Sequence, residues 1–210
     1  YKVDFEGRHV IGASPLGLNI DNRPYGKEVI ALEADTLSED HILYTVKQRD
    51  DRAFQIETKV FDDGMALRYH IPTDGKPVCI YGEETSYQFP QGTRTWYASG
   101  PFQYGWVQAY QDRKVEALEG ELLAPPATFL TPDGIYAALT EANLFHYHGA
   151  VLFGVGDNCV QYGYVENKGH LETGTLTGMP PMKYAQQVVR DVPWIISPRG
   201  TDEGIVTPWR

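Results

Sequence analysis

One acidic residue sits where a charge is costly. Glu141, inside "GIYAALTEANLFHYHGAVLFGV" (Gly134 to Val155), is flanked by Ala138, Leu139, Ala142 and Leu144. A carboxylate buried among such neighbours has to be capped by backbone amides, paired with an Arg, protonated or bound to a metal. Just downstream, His146 and His148 in "HYH" share one face of an extended segment. Two same-face imidazoles make a metal site only with a third ligand from elsewhere. Without one they read as surface or core histidines. Glu83-Glu84 and Glu119 to Glu121 are acidic clusters that read as solvated turns and faces. Paired carboxylates hydrolyse glycosides only when they flank a bond across a cleft, and sequence adjacency does not establish that.

A second set of residues could bind rather than react. Trp96, Tyr97, Tyr104, Trp106 and Tyr110 crowd the segment "RTWYASGPFQYGWVQAY". Exposed, such a cluster stacks on sugar rings, which makes Trp96 and Trp106 candidate substrate-binding residues. The competing reading is packing in a core or against a neighbouring domain. No Gly-rich phosphate loop, nucleophile elbow or paired zinc-ligand motif is present. An epimerase would need a His acid and a carboxylate base facing each other. His70, His146 and His148 are available, but their spacing pairs none of them with a base.

These residues must be positioned by strands. Phe54, Ile56, Thr58 and Val60 share one parity before Asp63-Gly64, and Met65, Leu67, Tyr69 and Ile71 share another after it. That pattern predicts a β-hairpin. Further turns are marked by Asp74-Gly75, Pro132-Asp133-Gly134, Gly156-Asp157-Asn158 and Asn167-Lys168-Gly169. Between them lie strands near 2–5, 28–33, 42–48, 78–81, 86–89, 127–130, 135–140, 150–153, 159–165 and 186–189. Short strands punctuated by 21 Gly and 14 Pro predict an all-β sandwich. "DRKVEALEGELL" (Asp112 to Leu123) has some helical periodicity, but Gly120 and Pro125-Pro126 limit it.

Composition narrows the function classes. The chain of 210 residues is 42% apolar and 22% charged, which suits one domain with a real core. The aromatic share is 12%, dominated by 14 Tyr, and favours β structure. A formal net charge of −10 argues against nucleic acid and anionic membrane surfaces. No window approaches the 18 or so apolar residues of a membrane span. Cys79 and Cys159 are too few for a disulfide framework or a thiolate zinc site; they read as two buried free thiols, and spacing alone neither requires nor excludes a disulfide between them. The stretch "VPWIISPRGTDEGIVTPWR" reads as a strand followed by a linker.

Five segments, in order, resemble the N-terminal domain of glycoside hydrolase family 97. They are "SPLGL" (Ser14 to Leu18), "FDDGMALRYHIP" (Phe61 to Pro72), "EETSYQFP" (Glu83 to Pro90), "TEANLFHYHGAVL" (Thr140 to Leu152) and the final "TPWR". The resemblance implies a large antiparallel β super-sandwich, galactose mutarotase-like, over residues 1–200. Residues 201–210 would lead into a missing (β/α)8 catalytic barrel. It also implies a bacterial, periplasmic or secreted α-glucosidase or α-galactosidase, with the catalytic acid and base on the barrel. Members lend a glutamate from an "EA-x-L" segment to an active-site calcium ion, and the matching residue here is Glu141. Calcium gathers six to eight oxygens, so Glu141 alone would not make a tight site.

The expectation is therefore a non-catalytic domain that packs on the barrel, completes the sugar pocket of an oligosaccharide substrate and supplies Glu141 to calcium. The alternative is a free-standing carbohydrate-binding β-sandwich that uses the Trp96 to Tyr110 aromatics.

Overall fold

The computed structural model describes residues 1–21, 23–99, 109–144, 147, 149–165, 188–189, 194–196 and 204–210. In chain order the strands are β1 (Val3–Phe5), β2 (Arg8–Ile11), β3 (Leu18–Ile20), β4 (Arg23–Tyr25), β5 (Val29–Ser38), β6 (His41–Gln48), β7 (Ala53–Phe61), β8 (Gly64–Ile71), β9 (Val78–Glu83) and β10 (Ser86–Gln88). They continue with β11 (Arg94–Ser99), β12 (Tyr110–Lys114), β13 (Leu122–Leu130), β14 (Tyr136–Leu139), β15 (Val151–Gly156), β16 (Cys159–Val165), β17 (Val188–Val189), β18 (Trp194–Ile196) and β19 (Ile205–Val206). The fold is all-β, and its paired strands run antiparallel. No helix among the described residues is long and apolar enough to cross a membrane.

Two compact units are each assembled from three stretches of chain. The first (1–16, 83–140 and 150–192) carries the β1–β2 pair and an eight-stranded sheet. Its main path runs β10-β16-β15-β13-β11-β12, with β14 on β13 and β17 on β16. Tyr97, Leu123, Phe129, Val160 and Tyr162 are fully buried, and Phe89 stacks on Phe129 at 4.2 Å. Gly154 allows the 115–121 connection to press onto the sheet: a Cβ there would meet the Leu118 carbonyl oxygen at 1.9 Å.

The second unit (17–82, 141–149 and 193–210) holds a four-stranded sheet, β18-β9-β3-β4, and a five-stranded sheet, β19-β8-β7-β6-β5. Leu18, Ile20, Phe54, Leu67, Tyr69, Ile71 and Ile80 are buried, and Tyr25 meets Phe54 edge-on at 5.6 Å. The hairpin expected around residue 63 is β7–β8, with Val60 opposite Met65 and Phe61 opposite Gly64. Residues 112–123 are not helical. They leave β12, make one 3-10 turn over Val115–Ala117 and enter β13 after Gly120, whose φ of 78° ends any helix. Ile205–Val206 form the edge strand β19 on β8, with Ile205 opposite Ile71.

Candidate functional site

Glu141 lies just beyond β14, at a place where three segments of the second unit meet. The backbone of Ala142 exchanges hydrogen bonds with Trp209, at 3.2 and 2.9 Å. The backbone of Arg210 does the same with Leu67 on β8, at 3.0 and 2.8 Å. The C-terminal strand is thus held on one side by β8 and on the other by residue 142. Asn143 then turns the chain away with a φ of 66°, a conformation that asparagine tolerates better than most residues.

This pairing delivers Arg210 to Glu141. Arg210 Nη1 donates to Glu141 Oε2 at 2.9 Å, with the arginine side chain 0% and the glutamate 9% exposed. The guanidinium also lies 5.8 Å from the Tyr147 ring centre. The other carboxylate oxygen, Oε1, faces Gly149, where a Cβ would sit 3.5 Å away. The result is a carboxylate fixed in direction by a buried cation. Among the described residues no three His, Cys, Asp or Glu side chains come together as a metal site.

A second carboxylate, which the sequence did not single out, is more heavily bonded. Glu57 on β7 accepts from Arg68 Nε at 2.6 Å and is bonded to His70 Nε2 at 2.6 Å and His41 Nε2 at 2.7 Å. Its side chain is 8% exposed. Burial pushes the carboxyl pKa up, but the hydrogen bonds from Arg68, His70 and His41 outweigh it and bring the value down to about 2. Arg68 lies directly opposite Glu57, and its guanidinium sits 4.2 Å from the Trp209 ring centre. The strand parity of Glu57 is legible in sequence, but the imidazoles come from neighbouring strands in a register that only folding sets. A cleft of about 430 Å³ opens beside His70, lined also by Thr45, Gln55, Ile71 and Val206.

The aromatic segment splits across its strand. Tyr97 is fully buried, whereas Trp96 points to the other face and lies nearly parallel to Tyr136, at 6.4 Å and 23°. Tyr110 is exposed. Trp106, Tyr104, His146 and His148 lie outside the described residues. Glu83, expected in a solvated turn, is buried at the end of β9, while Glu119 is exposed and Glu121 faces Arg113 at 3.9 Å. Cys159 is a half-buried free thiol whose pKa burial raises, and the side chain of Cys79 lies outside the description.

Comparisons with known proteins bear on the whole chain. The family profile described as Glycosyl-hydrolase 97 N-terminal matches residues 1–210. No curated protein sequence matches significantly. Among solved structures, a glycoside hydrolase family 97 enzyme from Pseudoalteromonas sp. strain K8, in complex with acarbose, superimposes with a TM-score of 0.72. It is 18% identical, and the match covers 100% of this chain and 31% of that one. A variant of that enzyme in complex with panose gives the same TM-score of 0.72, identity of 18% and coverage of 100% and 31%. A crystal structure of a beta-arabinopyranosidase gives a TM-score of 0.71 at 18% identity, covering 100% of this chain and 35% of that one. At these identities the likeness is one of fold, and the chain spans about a third of each enzyme. With the profile matching from the first residue to the last, the chain belongs to the Glycosyl-hydrolase 97 N-terminal family.

Proposed function

We propose that this chain is the non-catalytic N-terminal domain of an α-glycosidase, and that it packs on a catalytic (β/α)8 barrel of the same polypeptide and completes the pocket for an oligosaccharide. The observation that carries the reading is the family match over residues 1–210, together with solved enzymes about three times as long that bind acarbose or panose. A galactose mutarotase-like super-sandwich and a periplasmic or secreted location belong to the same reading. Exposed apolar residues fit the docking part of it. Val29, Ile30, Leu32 and Leu37 on β5, with Val60 and Phe61 at the end of β7, are all 46% or more exposed. Exposed apolar side chains on these two strands are available to a neighbouring domain.

Glu141 is the residue this domain would contribute to a calcium ion. Its carboxylate is held by Arg210, and the remaining oxygens would come from the barrel. Calcium bound there would polarise oxygens at the scissile bond. This chain's own part is to fix the direction of one ligand.

The test is calcium titration and turnover of the full-length protein with Glu141→Gln. Removing one anionic ligand should weaken calcium binding at least tenfold and lower kcat alongside it. Unchanged calcium affinity in a folded Glu141→Gln protein would remove Glu141 from the coordination shell. Absence of any glycosidase activity in the full-length wild type would remove the broader reading.

A further inference from the structure

The outer face of the eight-stranded sheet carries an arrangement that neither the fold nor the Glu141 site requires. Four neighbouring strands, β12, β11, β13 and β14, lie side by side there. Antiparallel partners point to the same face, so the registers place the side chains. Trp96 is opposite Asp112 on one side and Thr128 on the other, and Thr128 is in turn opposite Ala138. Arg94 is opposite Leu130, which is opposite Tyr136, while Tyr110 is opposite Ala98. Three aromatic side chains, Tyr110, Trp96 and Tyr136, thus share one face across three strand spacings, roughly 14 Å.

Two of the three rings are set out in water. Tyr110 is 67% and Tyr136 68% exposed, a costly placement for aromatic area unless something covers it. Trp96 backs Tyr136 at 6.4 Å with the rings 23° apart, so the exposed ring is held rather than loose. Beside them Arg94 lies 5.0 Å from the Trp96 ring centre and donates to Asp112 Oδ2 at 2.5 Å. That ion pair fixes charged donors and acceptors at the rim of the strip, and Lys114, opposite Arg94 on the same face, adds an exposed ammonium beside it.

We propose that this face is a binding strip for a short neutral oligosaccharide of hexopyranose units. The inference rests on the reading of the chain as a glycosidase domain. A pyranose has an apolar C–H face that lies flat on an aromatic ring, and equatorial hydroxyls that reach sideways to fixed polar groups. Tyr136, backed by Trp96, supplies the first requirement, and Arg94 with Asp112 the second. A chain charge of −10 disfavours an anionic ligand. The strip belongs to the first unit, whereas Glu141 belongs to the second. The strip acts as a holding site for substrate chains, and no bond is made or broken on it.

The experiment is calorimetric titration of the 210-residue chain with maltotetraose, backed by tryptophan fluorescence. Wild type should bind, with a change in Trp emission. Tyr136→Ala, at an exposed position that leaves folding intact, should weaken binding at least tenfold without shifting the melting temperature. Asp112→Asn should weaken it less. Absence of binding at millimolar sugar, or binding that Tyr136→Ala leaves unchanged, overturns the proposal. So does self-association that depends on Tyr136 without any sugar effect. Tyr136→Ala should leave the calcium affinity of the full-length protein unchanged, so failure here and failure at the calcium site are read separately.

Discussion

Arg210 reaches Glu141 only because the backbone of residue 209 pairs with that of residue 142, which places a 0%-exposed guanidinium 2.9 Å from a carboxylate 69 residues earlier in the chain. Removing one partner of such a pair leaves the other charge buried without its counter-ion, at a typical cost of about 3–5 kcal/mol. Arg210→Met should therefore lower the urea midpoint strongly. Glu141→Leu combined with Arg210→Met should recover a good part of the loss, because neither charge remains. A double variant as unstable as the sum of the single ones would show that the two residues act independently.

Glu57 predicts an acid-sensitive stability. Its pKa falls from 4.5 to about 2 in the folded chain, so its contribution is fully present above about pH 4.5 and is lost as the pH drops toward 2. The depression corresponds to about 3 kcal/mol at neutral pH. Denaturation midpoints measured between pH 6 and pH 2 should fall through that window. Glu57→Gln should flatten the fall while lowering stability at pH 7, since Arg68, His41 and His70 then lose their shared anion.

Gly154→Ala is expected to damage the first unit. The added Cβ would meet the backbone oxygen of Leu118 at 1.9 Å, and backbone cannot step aside as a side-chain tip can. A loss of about 1–3 kcal/mol or more should appear in thermal denaturation. Gly134→Ala tests a different cost: its φ is 83° with open space around it, so any loss there is conformational rather than steric.

The exposed residues of β5 should behave in the opposite way. Leu32 is 61% exposed, so Leu32→Lys should change the stability of the 210-residue chain by no more than about 0.5 kcal/mol. The same change in the full-length protein should loosen packing on the catalytic domain, seen as faster proteolysis between the two. Equal protease resistance in both proteins would place the docking face elsewhere.

How much of this was readable in advance follows from how local each signal is. The β7–β8 hairpin was legible because its two parities and its turn lie within one short window. β2, β3, β4, β11, β12 and β19 went unread: β3 and β4 are three residues long, β4 contains Pro24, and β11 looked like an aromatic cluster before it looked like a strand. Glu141 was conspicuous because a carboxylate interrupts an apolar run. Arg210 as its partner was not, because that contact depends on long-range strand pairing. Glu57 stayed hidden for a related reason. Its neighbours in sequence look like an ordinary amphipathic strand, and its bonds run across the sheet to His41, Arg68 and His70.

The strand at Ile205–Val206 has a consequence for how the chain is born. A ribosome delivers β8 early, yet the partner that closes that edge, the strand neighbour of Ala142 and the guanidinium for Glu141 all arrive much later, with residues 205–210. During synthesis the second unit waits with one sheet edge open, and the segment that closes it also neutralises its buried acid. Completion of this unit is therefore timed by translation of residues 205–210, and until they emerge the open edge of β8 is exposed to mispairing.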